Sequence, residues 1–90
     1  METGNLVLSL AGKDKGRLLT IVGSAKEGYV LVADGKLRRL CKPKLKKLKH
    51  LAPWGDGAGW SPEEMPQTDR SLRKQLAQMR RNKGIGEEKE

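Results

Sequence analysis

Acidic residues are missing where this chain is most basic: from Lys36 to Lys49 there are eight cations and no Asp or Glu. Cysteine is scarcer still. Cys41 is the only one, which excludes an intramolecular disulfide. With His50 the single histidine, it also leaves too few ligands for a tetrahedral zinc site. Aromatic residues are limited to Tyr29, Trp54 and Trp60. Only Tyr29 falls in the N-terminal half, so that half cannot build the aromatic cage that reads methylated lysine. No apolar run approaches the roughly 18 residues needed to cross a membrane. Met1 to Leu10 lack the basic start and long apolar stretch of a secretion signal. A reducing, cytoplasmic setting without a membrane partner is expected.

Catalytic constellations are missing too. One histidine cannot support a serine–histidine–acid set, and Gly12 to Arg17 lack the spacing of a nucleotide-binding phosphate loop. Glu63-Glu64 lie in a segment with no core to shift their pKa. The chain reads as non-enzymatic.

Ninety residues suit one small domain with a tail. The formal net charge is +8, and it is distributed unevenly. Residues 1–51 carry 12 cations and 4 anions, while 52–90 carry seven of each. The whole surplus therefore sits in the N-terminal half, which points to a polyanionic partner for that half.

The chain is organised around the polar stretch Ala11 to Arg17. Gly12, Gly16 and Asp14 allow a reversal there, with Lys13, Lys15 and Arg17 on or beside the turn. Leu6, Leu8 and Leu10 alternate with Val7 and Ser9, the period of a half-buried strand. Leu18 to Val22 forms a second strand, apolar on both faces and rich in β-branched residues. Ser24 to Gly28 is a loop, and Tyr29 to Ala33 is the strongest strand. Asp34-Gly35 suits a two-residue hairpin turn, returning the chain as a fourth strand over Lys36 to Cys41. Pro43 closes that strand. Leu45, Leu48 and Leu51, spaced by three, fit a 3₁₀ turn running into a short fifth strand near 48–51. Five short strands without crossover helices imply an antiparallel all-β unit, closed to hide its edges.

Residues 52–67 hold three prolines and three glycines besides Trp54 and Trp60, and read as a linker. Ser61 to Glu64 matches a capping box, but Pro66 stops it within a turn. From 68 to 84 the pattern is helical. Leu72, Leu76 and Met79 share one face, Thr68 or Asp69 caps the start and Asn82 or Gly84 the end. Residues 85–90 read as a disordered tail.

Three segments in order, S-L-A-G-K-D-K-G-R-L at 9–18, Y-V-L-V-A-D-G-K-L-R-R-L at 29–40 and K-K-L-K-H-L at 46–51, resemble the KOW domain. They are most similar to short bacterial KOW proteins related to the large-subunit ribosomal "fourteen-e" group. Gly16 matches the glycine that turns the motif's basic loop. The resemblance covers about half the chain and implies a mainly β fold: a small five-stranded SH3-like barrel over 1–51, followed by the linker and one C-terminal α-helix. It further implies RNA binding, often of ribosomal RNA, with neither catalysis nor cofactor.

Candidate RNA contacts fall in two groups. Lys13, Lys15 and Arg17 stand on the first turn. Lys36, Arg38, Arg39, Lys42, Lys44, Lys46, Lys47 and Lys49 form the acid-free run. Like charges crowded on neighbouring strands repel, and a phosphate backbone supplies the missing counter-charge while releasing bound cations. Gly12, Gly16, Asp34 and Gly35 are structural turn residues. Trp54 and Trp60 either stack on unpaired bases, worth roughly 1–3 kcal/mol each, or pin the linker to the barrel. His50 reads as a bystander or hydrogen-bond donor. The expected partner is RNA, with ribosomal or transcription proteins as the alternative, and the free chain is expected to be a monomer, ribosome-associated in the cell.

Overall fold

The computed structural model describes residues 2–55 and 59–88, with side chains through Arg81. It is mainly β, with five antiparallel strands and one C-terminal helix. The strands are β1 (Leu6–Ser9), β2 (Leu18–Ser24), β3 (Tyr29–Ala33), β4 (Lys44–Lys47) and β5 (Leu51–Pro53). They are ordered β4-β3-β2-β1-β5, so the two outer strands are neighbours in sequence, joined by a 3₁₀ turn at Leu48–His50. The sheet thereby curls into a barrel-like unit, although no ladder joins β4 to β5 among the described residues. A register shift between Ile21 and Gly23 bends β2 against β3.

The doubly apolar character of β2 has a simple cause: the sheet is covered on both faces. Inside the curl, Val7, Leu19, Ile21, Val30, Val32 and Leu51 pack together, with Leu48 beside them. On the outer face, Leu6, Leu18 and Ala33 meet Leu72 and Leu76 of the helix α1 (Asp69–Glu88). The thin stripe of α1 thus finds the docking surface that a marginal helix requires. Leu6 serves this outer core and Val7 the inner one, so the Leu6/Leu8/Leu10 alternation does not mark the barrel interior. Leu10 is exposed.

Further expectations are corrected. Lys36 to Cys41 is not a strand. The Asp34 carboxylate accepts the backbone N–H groups of Lys36 and Arg38 (both 2.9 Å), and Asp34 and Gly35 donate theirs to the Arg38 carbonyl. With its own side chain offering those partners, the backbone closes a loop instead of a hairpin ladder. The fourth strand comes later, at Lys44–Lys47.

The pairing continues past residue 51, since Ala52 and Pro53 lie opposite Leu8 and Val7. The segment after it follows the reading in which the tryptophans pin it to the barrel. Trp54 and Trp60 donate backbone N–H groups to Leu6 and Gly4, and both rings pack against the outer core. At Trp54 and Trp60, large aromatic side chains anchor the chain to the sheet.

Finally, α1 runs through Asn82 and Gly84 to Glu88, so it neither stops at the expected cap nor leaves 85–88 without structure. Residues 89–90 lie outside the described residues. Glycine costs about 1 kcal/mol in a helix interior and does not forbid it. Thr68 caps the start, accepting the Ser71 N–H on Oγ1 at 3.1 Å. Asp69 turns instead to the loop, accepting the Leu40 N–H at 2.7 Å.

Candidate nucleic-acid interface

The first turn is built on a buried carboxylate. Asp14 is 2% exposed. Its Oδ1 accepts from Ser9 Oγ (2.9 Å) and from Lys46 Nζ (2.6 Å). The ammonium also donates to the Ala11 carbonyl at 2.8 Å. Arg38 Nε stands 3.8 Å from Asp14 Oδ2, too long for a hydrogen bond, and both atoms are buried without a hydrogen-bond partner. Burial alone would raise the Asp14 pKa. The hydrogen bonds from Lys46 and Ser9, with the Lys46 charge, outweigh it and hold the carboxyl below the ordinary aspartate value.

This arrangement draws three separate pieces of sequence together: the first turn, the Asp34 loop through Arg38, and β4 through Lys46. Lys46 is therefore a structural cation. Its ammonium is committed to Asp14 and Ala11, and it is withdrawn from the set that faces a ligand. Arg38 is half-buried for the same reason, and Arg17 leans on Asp34 at 3.5 Å.

The remaining candidates, Lys13, Lys15, Lys36, Arg39, Lys42, Lys44, Lys47 and Lys49, are exposed. A concavity of about 420 Å³ opens among Leu37, Arg38, Arg39, Lys42 and Lys44, with Cys41 at its side. Of the carboxylates around it, Asp14 is sealed beneath Arg38, while Asp34 and Asp69 are turned to backbone N–H groups of the same loop. Lys47 lies apart from that concavity. It pairs with Tyr29 across the ladder, and its ammonium is 6.0 Å from the Tyr29 ring centroid. Lys26 sits over the same ring at 4.7 Å. Sequence reasoning gave Lys26 no role because it is remote from the basic run; its proximity to Tyr29 at i+3 was the available signal.

Trp60 donates its indole N–H to Gln75 Oε1 at 3.2 Å and so ties the connecting segment to α1. Both tryptophans are half-buried against the outer core, a packing role. His50 donates no side-chain contact to the site; its carbonyl accepts the Leu10 N–H. Among the described residues, no group of three His, Cys, Asp or Glu side chains could hold a metal ion. No described helix is long and apolar enough to cross a membrane.

No known protein family matches the sequence, and no curated protein matches it either.

Proposed function

We propose that this protein is a non-catalytic RNA-binding protein of the KOW type, acting in the cytoplasm on ribosomal or other structured RNA. One observation carries the reading. Of the eight cations between Lys36 and Lys49, six remain exposed, and three of those six line a single concavity with no acid among them. A solvated surface of ordinary composition intersperses both signs. Here the anion is left to a partner, and a phosphate backbone provides closely spaced charges that match. Lysines dominate, so the contact holds the RNA by charge and shape more than by base edges.

The three-segment likeness to KOW domains supports the same reading. Crosslinking in cells, followed by sequencing of the attached RNA, tests it. Recovery of ribosomal or other structured RNA is expected; a protein that carries no RNA contradicts it.

A protein-interaction module is the second reading, favoured by Leu37. That side chain is 58% exposed and lines the same concavity. Contacts with ribosomal or transcription proteins that survive nuclease treatment would select this alternative.

A further inference from the structure

A second cleft, of about 210 Å³, lies where α1 passes the first turn and the Asp34 loop. Arg17, Lys36, Arg73 and Arg80 line it, and Leu18 and Leu76 form its apolar wall. Gly35 makes the approach possible. A Cβ there would run into the Asp69 carbonyl and crowd the Arg73 backbone nitrogen, so only glycine lets the helix bring Arg73 and Arg80 up to Arg17.

The cations in this cleft are under-committed. Arg80 donates one N–H to the Gly16 carbonyl at 2.9 Å, which anchors the guanidinium and leaves its other donors available. The single acid in the lining is Asp34. Its Oδ1 already accepts two backbone N–H groups, and its Oδ2 faces Arg17. Among the described residues, Lys36, Arg73 and Arg80 form no ion pair.

We propose that this cleft binds a single nucleotide, its phosphate held by the arginines and its base laid over Ala77 and the outer edges of the buried Leu18 and Leu76. Guanidinium forks match phosphate oxygens two at a time. Bare phosphate would leave the apolar wall unused, while a flat ring covers it. At about 210 Å³ the cleft is smaller than the roughly 300 Å³ that encloses a drug-sized ligand, so a duplex cannot enter and one unpaired residue seats in it only in part. The inference rests on the RNA-binding reading and deepens it: the nucleotide is an unpaired residue of the bound RNA. A free nucleoside 5′-monophosphate offers the same chemistry.

The test titrates the full-length chain and its R73A/R80A variant with an RNA hairpin fully paired in its stem and closed by a non-nucleotide linker, the same hairpin carrying one bulged nucleotide, and AMP. Hairpin affinities come from anisotropy, and AMP binding from amide NMR shifts at Gly16, Leu18 and Ala77. Both arginines are exposed and alanine is the strongest helix former, so the variant keeps α1, as circular dichroism checks. The bulge is expected to tighten binding to the unmodified chain about tenfold, the scale of one charge-assisted hydrogen bond. The variant loses that preference and still binds the paired hairpin. AMP shifts without a bulge preference assign the cleft to the free nucleotide. If the unmodified chain binds both hairpins equally and AMP moves none of those amides, the cleft proposal is overturned and RNA binding by the exposed 36–49 run stands. Failure to bind either hairpin overturns the RNA reading itself.

Discussion

Lys46 and Asp14 stand 32 residues apart in sequence and 2.6 Å apart in space. Both are buried, at 8% and 2% side-chain exposure. The densest part of the basic run thus contains one lysine that faces inward and holds the first turn to β4. Removing one partner of such a pair strands the other's charge. Asp14→Ala is expected to lower unfolding stability by about 3–5 kcal/mol in denaturant titration, whereas an apolar replacement of both residues, Asp14→Leu with Lys46→Met, costs less than either single change.

The same carboxylate sets an acid limit. Its folded-state pKa is lowered, so its contribution is fully present above the ordinary aspartate value of about 3.9 and is lost as pH falls through the lower folded value. Thermal unfolding followed from pH 6 down to pH 2 should show a steepening loss below about pH 4. Asp14→Asn should flatten that limb, and an unchanged profile would remove Asp14 from the explanation.

Much of this fold is legible in the residues themselves. Tyr29–Ala33 forms the strand its apolar run implies, and Leu72, Leu76 and Met79 face the sheet as their spacing requires. What local pattern could not show was competition between distant groups. Lys36 to Cys41 has the alternation of a strand, but Asp34 and Asp69 take its backbone donors. Within K-L-K-K-L-K nothing distinguishes Lys46 from Lys44 or Lys47; only the position of Asp14, across the turn, selects it. Docking of the tryptophans was one of two readings open in the sequence, and what it could not show was the surface they meet, the outer face of a sheet that exists only once the strands have paired.

Gly35 and Gly16 both have φ near +80° (79° and 85°), yet their surroundings differ. An added Cβ at Gly16 meets nothing, while one at Gly35 meets the helix backbone. Gly16→Ala should cost about 1–2 kcal/mol, the left-handed penalty alone. Gly35→Ala should cost clearly more and loosen α1, visible as faster amide exchange across 69–80.

Leu72 is fully buried at the centre of the helix–sheet contact. Leu72→Ala should destabilise the protein by about 2–5 kcal/mol. Trp60, which shares that cluster, should report the change as a red-shifted fluorescence emission.

The most direct measurement is the salt dependence of affinity for a structured RNA, with the exposed cations Lys42, Lys44 and Lys49 reversed to glutamate singly and together. Binding through the exposed cations of the 36–49 run predicts a linear fall of log affinity with log salt, a slope that shrinks by about one for each phosphate-contacting lysine lost, and little binding by the triple variant. Affinity that ignores salt, or that survives reversal of all three lysines in a folded protein, would contradict it.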